Sequence, residues 1–302
     1  MEFIYKQETK ERLDKFLQAQ LPDITRSQIK KMILAGLVMV NDQPSSVHHW
    51  LKNGDKILYD NDQKPKKVKF DFEPKIIEQN ENYLIIDKPA GLLVHPTDRG
   101  ETNTLADWLV AKFPDIRKIG EEPMRPGIVH RLDKDVSGLM VVALNQDYFD
   151  LLKKQFQERT IQKEYLTLVH GALLEEEGEI NTPLERNKET GLMRAQTVHA
   201  SGKKAITLYK VEKKFIKYTL VKVHIKTGRT HQIRAHLYSI GHSIVGDTLY
   251  RTKDLRKKKK TINDVRIFLH AYYLKFQDHE NDWQEYTLPL PIILKNFLTT
   301  IK

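Results

Sequence analysis

The stretch GIVHRLDKDVSGLMVVA, residues 127–143, interrupts an apolar, strand-like pattern with a run of charged side chains. Within it, Asp133 lies between the basic residues Arg131 and Lys134. Because side chains alternate along a strand, we expect Arg131 and Asp133 to project to the same side. A nearby cation favours the ionised form of a carboxylate, and a positioned, ionised carboxylate can act as a nucleophile or as a base. The competing interpretation is an aspartate that stabilises a turn, which suits Asp135 better than Asp133.

A second cluster of reactive side chains lies in KTGRTHQIRAHL, residues 226–237. Two arginines, two histidines and a glutamine fall within eight consecutive positions, and Ile233 is the only large apolar residue among them. Since a core strand would not tolerate that density of polar groups, we expect a surface or a functional site here. An arginine in such a place can pair bidentately with a carboxylate or a phosphate.

A third candidate is Tyr165, which opens the predicted strand KEYLTLVHG directly after Lys163 and Glu164. The more common role of a strand tyrosine is to pack on the face of a sheet. From the residues alone, both a packed ring and a site residue remain open.

The sequence excludes several common kinds of catalytic site. It contains no GxxxxGK[ST] or GxGxxG loop for phosphates, no HExxH pair of metal ligands and no GxSxG nucleophile elbow. The chain has no cysteine, so disulfides, thiol nucleophiles and cysteine-bound metals are excluded together. We therefore expect no metal site.

The charge distribution indicates a polyanionic partner. The formal net charge is +10, and residues 201–260 alone hold 17 lysines and arginines against three acidic residues. So basic a segment favours nucleic acid over a membrane surface, which would call for an amphipathic helix. A solvated, lysine-rich face is the alternative on composition alone.

The composition and the N-terminal segment indicate a globular, cytoplasmic chain. Hydrophobic residues make up 40% of the sequence and charged residues 30%, which is typical of a folded domain. The segment MEFIYKQETKERLDKF carries charges where a signal peptide has an apolar core. No apolar run approaches the ~18 residues of a membrane-spanning helix.

Residues 1–60 have the pattern of a small α/β domain. Helical spacing of apolar residues predicts one helix in ERLDKFLQAQL and a second in RSQIKKMILAG. Thr25 or Ser27 can serve as the N-cap of the second helix, and Gly36 can end it. Short strands are expected in LVMV and KILYD.

The rest of the chain is rich in strands. Residues 61–75 are polar, basic and contain proline, as in a linker. Over residues 76–302 we expect strands in YLIIDKP, GLMVVAL, EYLTLVHG, AITLYKV, YTLVKVHIK and RIFLHAYYLKF, and helices in LADWLVAKF and YFDLLKKQF. Because strands and helices do not alternate regularly, the fold class is α+β, with a mostly antiparallel, mixed sheet.

These motifs resemble those of the RluA/RluD-type pseudouridine synthases. The resemblance rests on HRLD followed by SG, on GRTHQIR some hundred residues later, and on KEYLTLVHG, DKPAGLLVHP, GDTLY and LHAYYLKF. It spans about residues 76–290, so we expect residues 76–302 to form the catalytic domain. Residues 10–60 resemble an S4 RNA-binding module, which commonly precedes this catalytic domain.

The resemblance implies isomerisation of uridine in RNA to pseudouridine, without a metal or other cofactor. It implies that Asp133 is the nucleophile, that Tyr165 packs on the base and assists removal of the proton from C5, and that Arg234 pairs with Asp133. Arg131 would fill the gap left by the extruded base, since base flipping costs a few kcal/mol. Val136 stands where the family usually has threonine, a departure that removes no group the chemistry requires.

Ribosomal RNA is the expected partner and transfer RNA the alternative, and we expect no obligate protein partner. Contacts from lysine and arginine to phosphates carry no sequence information and weaken with salt. Three groups of residues are expected to contact RNA: Arg131, Arg229 and His231 near the site; Arg26, Lys30 and Lys31 on the second helix, where a solvated face is the alternative; and Arg256, Lys257 and Lys258 in the basic segment.

Two other functions stay open on the sequence. A catalytically silent RNA-binding or ribosome-assembly protein would keep the same fold, although intact Asp133, Tyr165 and Arg234 argue against it. A hydrolase of the nucleoside bond would normally need two carboxylates, and Asp135 is the second within reach. The sequence also does not distinguish attack at C6 of the base from attack at C1′ of the ribose.

Overall fold

The computed structural model describes residues 1–22, 24–34, 36–59, 70–97, 101–122, 124–196, 202–257 and 266–302. The chain divides into two compact units, one formed by Met1–Glu73 with Leu92–Ile128 and the other by Pro74–Gly91 with Val129–Lys302. The expected catalytic domain therefore includes nearly all of the second unit and the 92–128 part of the first.

Strands outnumber helices, as the sequence predicts. In the part of the chain that the structure describes, the helices are α1 (Leu13–Gln20), α2 (Arg26–Leu34), α3 (Leu105–Lys112), α4 (Gln146–Glu158), α5 (Gln232–Ser239), α6 (Lys253–Lys257) and α7 (Ile292–Thr300), with a 3₁₀ turn at Pro114–Lys118. The strands are β1 (Glu2–Ile4), β2 (Glu11–Arg12), β3 (Val38–Val40), β4 (Gln43–Pro44), β5 (Trp50–Leu51), β6 (Lys56–Tyr59), β7 (Lys75–Gln79), β8 (Tyr83–Lys88), β9 (Ser137–Ala143), β10 (Gln162–His170), β11 (Glu177–Ile180), β12 (Leu184–Arg186), β13 (Met193–Ala195), β14 (Thr207–Lys214), β15 (Tyr218–Ile225), β16 (Leu269–Gln277) and β17 (Trp283–Thr287). None of the described helices is both long and apolar enough to cross a bilayer.

The first unit contains the small α/β domain expected at the N-terminus. Its four-stranded sheet has the order β1-β6-β3-β4. Leu13 and Leu17 of α1 and Ile29 and Ile33 of α2 are buried in the same apolar core as strands β3 and β6. Helical spacing of apolar residues therefore identified both helices and the faces that they bury.

The ends of α2 follow the capping rules in part. The helix begins at Arg26, so Thr25 occupies the N-cap position and the alternative, Ser27, is wrong. Gly36 follows the helix with a φ of +72°, and its N–H donates to the carbonyl of Ile33 at 3.0 Å. A left-handed glycine at this position ends the helix as predicted.

The second unit is built on a nine-stranded sheet. Its strand order is β11-β14-β15-β10-β16-β9-β8-β7, and β17 pairs with β16 beside this path. The pairing of β9 with β16 is parallel, over two residues only, and the other pairings of this sheet are antiparallel. This mixed, mostly antiparallel sheet confirms the predicted fold class.

The parallel junction between β9 and β16 depends on the Ser-Gly pair of the first motif. Gly138 has a φ of +127°, and a methyl group added there would lie 2.2 Å from the carbonyl oxygen of Ala271. Oγ of the adjacent Ser137 accepts a hydrogen bond from Nη2 of Arg266 at 2.7 Å and lies 2.8 Å from Nδ1 of His270. Only glycine allows this close approach, so the pair fixes the point where the two halves of the sheet meet.

The segment before this junction is not the strand that alternation predicted. Residues 129–133 belong to no strand, and the chain turns at Lys134 and Asp135 before β9 begins. The N–H of Val136 donates to the carbonyl of Asp133 at 3.1 Å, which closes the turn. Since β9 can pair with β16 only after this turn, Asp133 lies at the turn rather than inside a strand. The turn position predicted for Asp135 is confirmed.

We expect Gly138→Ala to destabilise the protein strongly. The added methyl group would overlap the backbone of Ala271, so the free energy of unfolding should fall by roughly 3 kcal/mol or more. Gly241→Ala is the matched control, because Gly241 also has a positive φ, +88°, but open space around it. The control should lose only about 1–2 kcal/mol. Urea unfolding followed by circular dichroism measures both values, and equal small losses would contradict a tight junction.

Candidate active site

Six residues singled out in the sequence line one pocket of the second unit. The described residues include no trio of histidine, aspartate or glutamate side chains arranged as a metal site. The pocket joins the HRLD, KEY and GRTHQIR motifs, and the six residues are Arg131, Asp133, Tyr165, Arg229, His231 and Arg234.

Arg234 is held between two carboxylates. Its Nε and Nη2 donate to Oδ2 and Oδ1 of Asp247 at 2.7 and 3.0 Å, and its Nη1 donates to Oδ2 of Asp133 at 3.3 Å. The side chain of Asp247 is fully buried, and its Oδ1 also accepts the backbone N–H groups of Leu249 and Tyr250. The bidentate pair with Asp247 fixes the plane of the guanidinium, which then presents Nη1 to Asp133.

The positive charge of Arg234 depends on these carboxylates. Burial alone would lower the pKa of the guanidinium, but the hydrogen bonds and negative charges of Asp247 and Asp133 raise it above its ordinary value. Arg234 also lies in the first turn of α5, where the helix dipole opposes a cation. The two carboxylates therefore offset both the loss of hydration and the dipole.

The second half of the GRTHQIR motif is buried, whereas Gly228, Arg229 and Thr230 are exposed. The buried polar groups bond one another and the neighbouring backbone. Oε1 of Gln232 accepts the hydroxyl of Thr227 at 2.7 Å and the backbone N–H of Arg229 at 3.1 Å. Nε2 of Gln232 donates to the carbonyl of Ile206 and to the hydroxyl oxygen of Thr207, both at 3.0 Å. Gln232 therefore ties the loop before α5 to the start of β14.

His236, one turn further along α5, extends this network. Thr207 accepts the bond from Gln232, so its own hydroxyl proton points to Nδ1 of His236, 2.8 Å away. The proton of the neutral imidazole is then on Nε2, which donates to the carbonyl of Thr182 at 3.0 Å. Burial lowers the pKa of His236 and favours this neutral form. The network holds the helix that carries Arg234.

His231 directs an N–H toward the same aspartate. The hydroxyl oxygen of Tyr250 accepts the N–H of Met193 at 2.9 Å, and its proton is available to Nδ1 of His231 at 3.1 Å. Burial raises the pKa of Tyr250 to about 12 and lowers the pKa of His231. A neutral His231 that accepts at Nδ1 carries its proton on Nε2, which lies 4.0 Å from Oδ2 of Asp133.

Tyr165 is buried on β10 and lines the pocket together with Asp133. Burial and the negative charge of Asp133 raise the pKa of its phenol, so the hydroxyl keeps its proton at neutral pH. Within the described part of the chain, no hydrogen-bond partner engages this hydroxyl. Both the ring and the hydroxyl are therefore available to a ligand in the pocket.

Lys88 supports the turn that carries Asp133. Its side chain is fully buried, and Nζ donates to the carbonyls of Pro89 at 2.8 Å and Lys134 at 3.0 Å. The N–H of Gly91 donates to the same Lys134 carbonyl at 2.9 Å. Lys88 and the loop after β8 therefore hold the carbonyl of Lys134, the residue after Asp133, with two hydrogen bonds.

His130 fixes the other side of this segment. Its Nε2 accepts the backbone N–H of Val141 at 3.0 Å. Strand β16 pairs with β9 only at Ser137 and Gly138, so it does not bond this N–H. The ring stacks on Phe156, with the ring centroids 4.8 Å apart. Burial lowers the pKa of His130 well below its ordinary value, so the imidazole stays neutral and can accept this bond. The histidine of HRLD thus anchors the residues that precede Asp133.

Of the other basic residues expected to contact RNA, those that the structure describes do not line this pocket. Arg26 donates from Nε and Nη2 to Oδ2 of the buried Asp14, at 3.0 and 2.8 Å, and its side chain is 41% exposed. Lys30 is half-buried, and Arg256 is exposed on α6 with Nε bonded to the carbonyl of Arg251. The side chains of Lys31 and Lys257 and the whole of Lys258 lie outside the described residues.

Three residues of the site were not assigned a role from the sequence. Asp247 lies in GDTLY. It is one of only three acidic residues in the strongly basic segment 201–260, and this rarity is the sequence signal that could have indicated its role. Lys88 follows Asp87 at the end of an apolar strand pattern, which gives no sign that its side chain donates to two carbonyls. Lys163 lines the pocket but was noted only as a neighbour of Tyr165.

We expect Lys88 to make stability depend on pH. Burial lowers the pKa of its ammonium to about 7, although Asp133 and Asp135 act in the opposite direction. In the unfolded chain the ordinary value is 10.5, so between these two values the unfolded state binds one more proton. In this range the contribution of Lys88 to the free energy of unfolding should therefore rise with pH, by about 1.4 kcal/mol per pH unit.

The test compares the wild type with Lys88→Met in urea unfolding between pH 7.5 and 9.5. The free energy of unfolding should rise with pH more steeply in the wild type than in the variant. Lys210→Met removes an exposed lysine of β14 and should keep the wild-type slope. Parallel curves for wild type and Lys88→Met would mean that Lys88 stays charged in the folded protein.

Comparison with known proteins identifies the family. Residues 82–239 match the model of the RNA pseudouridylate synthase family, and residues 11–57 match that of the S4 domain. The chain is 39% identical to an uncharacterised RNA pseudouridine synthase of Aquifex aeolicus (strain VF5), over 95% of this chain and 92% of that protein. It is 33% identical to ribosomal large subunit pseudouridine synthase D of Neisseria meningitidis serogroup B, over 96% of this chain and 79% of that protein.

A solved structure shows the same relationship. The fold is similar to that of the human protein named RNA Pseudouridylate Synthase Domain Containing 1, with a TM-score of 0.59 and 26% sequence identity. The aligned region covers 74% of this chain and 86% of the human chain. The resemblance carried by HRLD and GRTHQIR is thereby confirmed. The chain belongs to the RNA pseudouridine synthase family and is an RNA-binding isomerase with an N-terminal S4 domain.

Proposed function

We propose that this enzyme converts specific uridines of large-subunit ribosomal RNA to pseudouridine, with Asp133 as the nucleophile. One observation carries the proposal: Asp133 and Tyr165 share a pocket, and Nη1 of Arg234 lies 3.3 Å from Asp133. Similarity to the Neisseria meningitidis protein, which is named for the large ribosomal subunit, supports this substrate. Transfer RNA is the alternative substrate, and we place the enzyme in the cytoplasm.

The pocket geometry suits a base that has left its stack. Arg131 is exposed and lies two residues before Asp133 at the pocket. Extruding a base costs a few kcal/mol, and a planar guanidinium that fills the vacancy by stacking offsets part of that cost. Arg131 therefore holds the RNA open while Asp133 meets the extruded uridine.

The isomerisation itself requires no net change in atoms. A carboxylate oxygen of Asp133 attacks C6 of uracil or C1′ of the ribose, and in either route the bond between N1 and C1′ breaks. The base then turns and C5 forms a bond to C1′. The bond from Asp133 to C6 or C1′ breaks and returns its electron pair to the carboxylate, the proton leaves C5, and N1 gains a proton. Arg234 holds the carboxylate of Asp133 through the hydrogen bond from Nη1, and positioning of the reactants supplies much of the rate.

Tyr165 has two tasks in this scheme. Its ring packs on the extruded base, and its hydroxyl assists removal of the proton from C5. The raised pKa of the phenol means that no phenolate stands ready at neutral pH. The hydroxyl therefore takes the C5 proton only as its own proton leaves, and N1 of the turned base is the atom that gains a proton.

The remaining basic residues serve RNA binding in this proposal. Residues 1–60 act as the S4 domain, 61–75 as a linker and 76–302 as the catalytic domain. Arg229 is exposed at the pocket, with Nε bonded to the carbonyl of Lys204 at 3.2 Å. Phosphate contacts of this kind make binding fall steeply with salt. The residues assigned to RNA contacts are Arg26, Lys30, Lys31, Arg131, Arg229, His231, Arg256, Lys257 and Lys258.

We expect Asp133→Ala to abolish the reaction. Wild-type protein should release tritium from unmodified large-subunit ribosomal RNA labelled at C5 of uridine, and loss of the nucleophile should lower the rate by more than about 10⁴-fold. Asp135→Ala, which removes the exposed carboxylate of the same turn, should retain activity.

Each other outcome would change the assignment. Release by Asp133→Ala would mean that another carboxylate reacts, and free uracil would indicate a hydrolase. Absence of release by the wild type from ribosomal and transfer RNA, together with tight and salt-sensitive binding, would support a non-catalytic RNA-binding protein.

We expect Tyr165→Phe to retain RNA binding and lose most of the activity. The ring remains to pack on the base, but a proton-transfer group typically contributes about 10²–10⁴-fold to the rate. Single-turnover tritium release and filter binding of the same RNA measure the two effects. Tyr273→Phe on β16 is the control and should behave as the wild type. Full activity in Tyr165→Phe would restrict Tyr165 to a packing role.

A further inference from the structure

The ammonium of Lys163 lies in the pocket without a partner that explains its position. Lys163 precedes Tyr165 by two residues on β10, and both side chains line the pocket. A methyl group built at Gly228, another residue that lines the pocket, would lie 3.9 Å from Nζ. The amine therefore points into the space that the substrate must enter.

The surroundings of Lys163 do not neutralise its charge. Nζ lies 4.7 Å from the ring centroid of Phe156, and within the described part of the chain it has neither a carboxylate in ion-pair range nor a hydrogen-bond acceptor. Burial lowers the pKa of the ammonium to about 8, and no nearby charge contributes to this shift. A half-buried ammonium whose three donors have no protein acceptor among the described residues is suited to bind an anion.

The charge of the whole pocket supports an anionic ligand. Four cations line it, Arg131, Lys163, Arg229 and Arg234, against the single carboxylate of Asp133. Even with the buried Asp247 paired to Arg234, two positive charges are left in excess. Uracil is neutral, so the phosphate is the part of a uridine nucleotide that can neutralise this excess positive charge.

We propose that Lys163 binds a phosphate group of the uridine nucleotide that is being isomerised. This inference rests on the proposed function and names a further positioning residue of the same site. Side chains two residues apart on a strand are about 7 Å apart, so a base on Tyr165 and its own phosphate, one ribose away, can be held together. Binding energy from this phosphate then fixes the ribose while the base turns.

The experiment measures dissociation constants of uridine, uridine 5′-monophosphate and uridine 3′-monophosphate by calorimetric titration of the full chain. A charge-assisted hydrogen bond should make the wild type bind at least one nucleotide about tenfold or more tightly than uridine. Lys163→Met keeps an unbranched side chain over Phe156 but removes the charge, and it should abolish this preference. Lys163→Arg should restore it.

Lys222→Met provides the matched control. Lys222 is on the neighbouring strand β15, pairs with Glu212 and does not line the pocket, so the preference for the nucleotide should persist. A wild type that does not distinguish uridine from its phosphates would overturn the proposal. A Lys163→Met variant that keeps the preference, or weakens uridine and nucleotide equally, would do the same.

A second measurement separates this inference from the proposed function. With the ribosomal RNA used for tritium release, Lys163→Met should lower kcat/KM and reduce the slope of its logarithm against log salt by about one. An unchanged slope would contradict a phosphate contact. If the wild type prefers the nucleotide but releases no tritium, the phosphate contact stands and the proposed isomerisation fails.

Discussion

The site depends on one buried guanidinium shared by two carboxylates. Arg234 forms its short, bidentate contact with Asp247 and a single, longer contact with Asp133. Burying three charged groups is costly unless all of them are paired and hydrogen-bonded. This requirement explains why Asp247 is also held by two backbone N–H groups, and why α5 is tied to β14 through the side chain of Gln232.

The same constraint sets what the sheet must do. Asp133 and Arg234 are 101 positions apart in the chain, so only the strand order brings them together. The parallel junction at Gly138 places the turn that carries Asp133, and Lys88 and His130 hold that turn from two sides. The apolar strands supply the stability, while a few hydrogen-bonded polar side chains fix the position of the Asp133 carboxylate.

The sequence predicted what depends on local patterns and motifs. Apolar periodicity located α1, α2 and most strands, and the motifs selected Asp133, Tyr165 and Arg234. It did not predict the turn at Asp133, because a run of alternating residues looks the same whether or not a partner strand is present. Nor did it predict the roles of Lys88 and Asp247, since these depend on pairings between distant segments that no local spacing reveals.

The unequal contacts of Arg234 resolve a conflict in the chemistry. A cation that gripped Asp133 bidentately would stabilise the carboxylate and make it a poorer nucleophile. Because Asp247 occupies Nε and Nη2, only Nη1 reaches Asp133, at 3.3 Å and on Oδ2 alone. Oδ1 of Asp133 accepts no hydrogen bond from any described residue. The buried carboxylate of Asp247 thus forms the bidentate contact with the guanidinium, and Asp133, held through Oδ2 alone, keeps Oδ1 free for the substrate.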